Sequence, residues 1–213
     1  MTNDLEKFLK FISVAEKLKK IERFKGQFYW RDYPKLTRYE SVADHSWRLA
    51  LLILLFKNKL PNKFDVEKAL TMAIIHDLPE IFAGDASPMG KEGTGKDTHA
   101  FNKTEKKKRS VSEKKAAKTI FNLLPDKEYN RLYKLWLDYE KQESIESKIV
   151  KGLDRLECML QVFQYRGGYL FKKHKDFTVK YGQEHSKVNA SVNKFGKLIA
   201  SKIENKYIEF KKD

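Results

Sequence analysis

The chain has 213 residues, 41% of them hydrophobic and 34% charged, with one cysteine and a formal net charge of +15. That length admits a core of its own and reads as one domain over residues 1–213. The single thiol excludes an internal disulfide, the first residues lack a signal-peptide pattern, and the longest apolar run, Leu49 to Phe56, is too short to span a bilayer. A reducing cytoplasm and no membrane partner are therefore expected. The positive excess draws anions. Its lysines are spread along the chain rather than grouped with stacking aromatics, which describes a lysine-coated surface better than a nucleic-acid stripe.

In chain order, Leu5, Phe8, Leu9, Phe11, Ile12, Ala15, Leu18 and Ile21 recur at helical spacing and predict an amphipathic helix over 4–21. Residues 23–40 break that pattern at Gly26 and Pro34, and interleave Arg23, Arg31 and Arg38 with Phe24, Phe28, Tyr29, Trp30, Tyr33 and Tyr39. Such a loop can bind phosphate and stack on rings. Equally, it can plug its aromatics into the core and leave its arginines in solvent. Ser41 and Asp44 then open a helix in capping-box style, with His45 in the first turn and Trp47 and Leu49 to Phe56 forming a buried run.

Asp65 caps a further helix whose apolar stretch, Ala69 to Ile75, ends in His76-Asp77, with Pro79 and Glu80 just beyond. Residues 86–98 contain Gly90-Lys91-Glu92-Gly93-Thr94-Gly95-Lys96-Asp97, close to a phosphate-binding P-loop. Asp97 stands where Ser or Thr is required and no strand precedes, so the segment reads as a mobile surface loop or lid. Residues 100–124 predict a helix with a basic run from Lys103 to Lys118 and an inner face of Ala116, Ala117, Ile120, Phe121 and Leu124. Leu132, Leu135, Trp136 and Tyr139 mark another. Ser144 caps a long one from Ile145 to about Tyr165, stopped by Gly167-Gly168. A polar loop follows, then a last helix over 187–210. No strand alternation appears, and the expected class is all-α.

Chemistry concentrates at helix ends. On a continued helix His76, Asp77 and Glu80 share one side, at i, i+1 and i+4. Ionisable groups beside a buried apolar run are costly unless neutralised, and a divalent cation does that most simply. Adding His45 and Asp154, which flanks the stripe of the long helix, gives two imidazoles and two carboxylates, a donor set for one ion such as Mn, Co, Mg, Fe or Zn. No cysteine lies near them, which argues against a structural zinc. Four protein ligands on an ion that prefers six leave room for water and a substrate oxygen.

Three segments carry a family resemblance: Glu40-Ser41-Val42-Ala43-Asp44-His45-Ser46, then Ile75-His76-Asp77-Leu78-Pro79-Glu80-Ile81 with Gly84-Asp85, and Leu123 through Asp138 to Asp154-Arg155-Leu156-Glu157. In order and spacing they resemble the HD superfamily of metal-dependent phosphohydrolases, and within it the 5'-deoxynucleotidase branch, the bacterial YfbR-like proteins and their eukaryotic HD-domain-containing relatives. The resemblance covers about residues 5–165 and implies a single helical HD bundle with its metal-binding core there; the C-terminal helix over 187–210 carries no family information and is expected to pack on that core. It further implies removal of the 5'-phosphate from (deoxy)nucleoside monophosphates by a metal-activated water, in a homodimer. His45, His76, Asp77 and Asp154 would hold the metal, Glu80 would orient or deprotonate the water, and Asp85 would contact the sugar or that water. Arg23 matches the family's phosphate-proximal arginine. The chain departs from the bacterial pattern at Phe24, where a tryptophan screens the sugar's 2' position, and in a longer interval before His45. Sugar selectivity is left open by this, and Arg38 becomes a rival for the phosphate. Two alternatives stay beside this reading: an HD phosphohydrolase for a nucleoside triphosphate, alarmone or cyclic nucleotide, and a basic nucleic-acid-binding helical protein with a vestigial metal site.

Overall fold

The computed structural model describes residues 2–27 and 29–212, so Phe28 of the aromatic loop lies outside the described residues. Its helices in chain order are α1 (Thr2–Ala15), α2 (Val42–Phe56), α3 (Val66–Ile75), α4 (Glu80–Ala83), α5 (Lys103–Phe121), α6 (Asp126–Lys141), α7 (Ile145–Arg166), α8 (Lys172–Gln183) and α9 (Ala190–Asn205). Two short strands, β1 (Tyr169–Leu170) and β2 (Ile208–Glu209), pair in parallel with Tyr169 opposite Ile208. The class is all-α. Among the described residues no helix is long and apolar enough to cross a membrane.

The caps act as the sequence predicts. Ser41 accepts from the Asp44 N–H while the Asp44 carboxylate accepts from the Ser41 N–H, a reciprocal capping box that starts α2. Asp65 caps α3 and Ser144 caps α7 more simply, each side chain accepting one N–H, from Lys68 and Ser147. α7 is the axis of the molecule: Ile149, Val150, Leu153 and Leu156 are fully buried, and α2, α3, α6, α8 and α9 all pack on it. Its burial extends round to Asp154 and Glu157, so one helix delivers both apolar contacts and charges to the interior.

Three readings of the sequence need correction. The run from Trp47 to Phe56 is buried on one side only: Leu49, Leu52 and Ile53 are buried, whereas Trp47, Leu51, Leu54 and Leu55 are exposed. The segment after Gly168 is not a plain loop: it folds as α8, whose inner face is His174, Phe177, Thr178 and Tyr181, and the last helix begins only at Ala190. Residues 86–98 are not a loose surface loop either. Met89 is buried, and Gly93, at φ +71°, lies so close under the Tyr29 ring that an added Cβ would stand 2.2 Å from it. Of the two options for the aromatic loop, the described rings take the core one: Phe24, Tyr29, Trp30 and Tyr33 are all buried.

His174 sits fully buried among those rings, 2.9 Å through Nδ1 from the Tyr33 hydroxyl, which itself accepts the Phe171 N–H. Burial, helped by Arg166, pushes its pKa down to about 3. The unfolded chain binds that proton near pH 6.5, so this contribution to stability is complete above 6.5 and is lost as pH falls toward 3. His99 and His185 are depressed too, so the whole fold is expected to weaken in acid. Urea unfolding at pH 7 and pH 5 should show the wild type losing about 2 kcal/mol more than His174→Gln over that interval. Equal losses would mean that His174 does not titrate in this way.

Candidate metal centre and its surroundings

α3 ends at Ile75, and His76 is its C-cap in helical conformation. Pro79 has no N–H to continue the ladder, so a turn of three residues intervenes before α4 starts at Glu80. Gly84 then takes φ +79°, the left-handed region, and swings Asp85 away from the helix axis. α6 fixes this corner from outside: Trp136 Nε1 donates to the His76 carbonyl at 3.1 Å.

Across from it stand His45, in the first turn of α2, and Asp154, on α7. His45 Nε2 lies 3.1 Å from Asp154 Oδ1 and 3.7 Å from Asp77 Oδ2, and His76 Nε2 lies 3.1 Å from Asp77 Oδ2. Ligand atoms in adjacent positions on one ion, with bonds of 2.0–2.2 Å, stand about 3 Å apart. Both imidazole Nε2 atoms are buried and have no well-aligned hydrogen-bond partner among the described residues. Nitrogens in that state, facing two carboxylates at this spacing, fit a divalent cation. Donor atoms of His45, His76 and Asp154 also fall within 4.8 Å of one another. Against the sequence expectation, a cysteine does lie near: His45, Glu157 and Cys158 form a second group that meets the same distance test but is a poor site. There the thiol accepts from Arg23 Nη2 at 2.9 Å, and burial pushes it up to about 11, far from the thiolate a metal needs.

The carboxylates are pushed apart in their proton affinities. Burial alone would raise Asp77, yet His76 and His45 hold it well below the ordinary carboxylate range. Against the same burial, Lys151 and His45 hold Asp154 low. Lys151 donates at 2.8 Å to the Tyr139 hydroxyl, which donates at 2.8 Å to Asp154. Glu80 goes the other way: burial, then Asp77 and Asp85, raise it. One of its oxygens is buried without a partner and the other lies 3.5 Å from Arg109. Burial also raises Asp85, with Arg23 opposing. Two carboxyls held ionised beside two that retain protons more readily is a division suited to ligands on one side and proton acceptors on the other.

Among the other residues singled out in the sequence, Arg23 and Asp85 line one narrow cavity of about 60 Å³ together with Phe24, Trp30 and Tyr181. Phe24 is in the left-handed region, at φ 68°. Arg38 does not join this group: three-quarters exposed, it bonds Asp44 at the surface. Arg23 is less free than an arginine waiting for phosphate, because its guanidinium already binds Glu40 at 2.8 Å and Glu157 at 3.4 Å. Residues given no role from sequence also gather here: Arg48, Glu157, Tyr139, Lys151 and Arg109. Arg48 had a visible signal, being the only charge between Trp47 and Phe56.

This helical frame and donor set define a class, an all-α hydrolase organised round a site for a divalent cation. A family model described as the HD domain matches residues 15–195. The chain is 34% identical over 157 residues to 5'-deoxynucleotidase HDDC2 of Homo sapiens, a match covering 74% of this chain and 67% of that protein. A solved structure described as a predicted metal-dependent phosphohydrolase, from Magnetospirillum magnetotacticum, superposes with a TM-score of 0.70 at 24% identity, covering 96% of this chain and 94% of the other. The PH0347 protein of Pyrococcus horikoshii superposes with a TM-score of 0.63 at 26% identity, over 89% and 99%. The chain belongs to the HD-domain family and is an HD-domain phosphohydrolase.

Proposed function

We propose that this protein removes the 5'-phosphate from nucleoside monophosphates, deoxynucleotides above all, in a reducing cytoplasm. The observation that carries the reading is the convergence of two partnerless imidazole nitrogens with Asp77 and Asp154, and of a partnerless Glu80 oxygen beside them. The name of the human relative points to the same substrate class.

His45, His76, Asp77 and Asp154 would hold one divalent ion. Such an ion, when bound, makes water a nucleophile at neutral pH and offsets charge on a phosphoryl group. Glu80, raised by burial and with an open oxygen, accepts the proton of the attacking water. Asp85 and Arg23 face the cavity in which Phe24 and Trp30 offer ring surfaces for the nucleoside. That cavity is well below the 300 Å³ or so of usual ligand pockets, so nucleoside entry displaces side chains, foremost Phe24 with its strained backbone. Arg38 has no part in this reading. Phosphate release from metal-stripped protein resupplied with Mn, Co or Mg is expected with deoxynucleoside monophosphates and lost in His76→Ala. Turnover of triphosphates or cyclic nucleotides alone would move the substrate assignment, and salt-sensitive DNA binding without turnover would replace it.

The partner expected from the family resemblance is a second copy. At +15 the chain repels itself through its polar surfaces, so association falls to an uncharged face. The outer side of α2 supplies one, with Trp47, Leu51, Leu54 and Leu55 exposed. Sedimentation should give twice the chain mass for the wild type and a monomer for Leu55→Glu.

A further inference from the structure

Behind His45, on the side away from Asp77 and Asp154, two buried carboxylates and two half-buried guanidiniums form a closed ring. Arg23 Nη1 donates to Glu40 Oε2 at 2.8 Å, and Arg48 Nη2 donates to the other Glu40 oxygen at 3.0 Å. Arg48 Nε donates to Glu157 Oε1 at 2.6 Å, and Glu157 Oε2 returns to Arg23 at 3.4 Å. Two guanidiniums and two carboxylates cancel, which is how a fully buried glutamate is tolerated at all. The members come from the strand-like residues before α2, from α2 itself and from α7, up to 134 residues apart. Nothing in such a ring needs a ligand to complete it. What it lacks is a structural reason to touch a histidine.

It does touch one: Glu157 Oε2 bonds His45 Nδ1. A carboxylate held between two arginines can only accept, so Nδ1 carries a hydrogen, and Nε2, on the side of Asp154, is the nitrogen that would meet a cation. His76 reaches the same tautomer by another route, its Nδ1 lying 2.9 Å from the carbonyl of Ala73 one turn back. The two imidazoles thus have separate orienting partners, one supplied by the helix backbone and one by an assembled side-chain ring. We propose that Glu157, clamped by Arg23 and Arg48 with Glu40 closing the circuit, is the positioning residue that fixes the His45 ring and tautomer and thereby sets the affinity of the site for its cation. This rests on the reading of His45 as a ligand. It also gives Arg23 a second task, as the member that stands both in the ring and on the wall of the substrate cavity.

The test is calorimetric titration of Mn into metal-stripped wild type and Glu157→Gln, in which the amide keeps the shape but loses the charge. The variant should bind Mn 10- to 100-fold more weakly, the usual effect of losing an orienting carboxylate. Its turnover should recover at high Mn, a rescue that a merely structural lesion would not show. Wild-type affinity in Glu157→Gln overturns the proposal. Failure of the wild type to bind Mn, Co or Zn overturns instead the reading of His45, His76, Asp77 and Asp154 as ligands. Should Glu157→Gln not fold, nitrogen-15 spectra of the zinc-loaded wild type decide: hydrogen on Nδ1 of His45 supports the inference, and hydrogen on Nε2 ends it.

Discussion

Asp154→Asn is expected to lower turnover by about a thousandfold or more, some 4 kcal/mol in the barrier, and to abolish stabilisation of the fold by added metal. The amide keeps an oxygen that can accept the Tyr139 hydroxyl, now 2.8 Å from Oδ2, so packing at the centre of α7 is preserved. What is lost is the negative charge facing His45 Nε2 at 3.1 Å, and with it a quarter of the donor set. A wild-type protein that binds a cation only when folded gains about 2.7 kcal/mol at a hundred times its dissociation constant. Its melting temperature should therefore climb with metal concentration while that of Asp154→Asn stays flat. The two readouts together separate a ligand from a residue that merely holds α7 against Tyr139 and Lys151. A variant that is inactive yet still stabilised by metal would remove Asp154 from the donor set.

Much of this arrangement could be read along the chain because it rests on local signals. Ser41, Asp65 and Ser144 are caps that speak for themselves, and the apolar period of α2, α3 and α7 needs no long-range partner to be seen. The cluster was legible for a related reason: His45, His76, Asp77 and Asp154 are polar residues at the ends or flanks of buried helices, where burial demands an explanation. α8 escaped because its inner face is His174, Phe177, Thr178 and Tyr181. These fall at i, i+3, i+4 and i+7 as a helix requires, but three of the four carry polar atoms and look like surface residues. The glycine-rich stretch after Asp85 misled in the opposite sense. Gly93 and Gly95 suggested looseness, whereas they are small so that Tyr29 and Phe177 can press on the backbone.

Arg23 shows the deeper limit. Its place in the motif suggested a free cation for phosphate, and nothing nearby in sequence contradicts that. Glu40, 17 residues later, engages it at 2.8 Å, and the second carboxylate and the thiol belong to Glu157 and Cys158, 134 and 135 residues later. Charges that cancel one another across such distances are invisible until the helices are packed.

The second large effect is expected at Glu80. Glu80→Gln should cut kcat by about a hundredfold to ten-thousandfold, roughly 3–5 kcal/mol, with KM and metal affinity within a few-fold of wild type. The residue begins α4 and is 5% exposed, held at 3.5 Å from Arg109 by one oxygen while the other meets no donor. Glutamine keeps the volume and the contact to Arg109 but cannot take a proton. A pure loss in kcat therefore identifies proton transfer rather than binding. Were metal affinity to collapse instead, Glu80 would be a fifth ligand, and the open oxygen would be explained by coordination. Were kcat to stay, the acceptor would be sought at Asp85, which burial also raises but which Arg23 draws back toward ionisation. The reason to place the proton on Glu80 is geometric: among the described residues the cation in contact with it, Arg109, already shares its guanidinium with Glu113 at 2.5 Å. Glu80 thus keeps one oxygen that no group among the described residues engages.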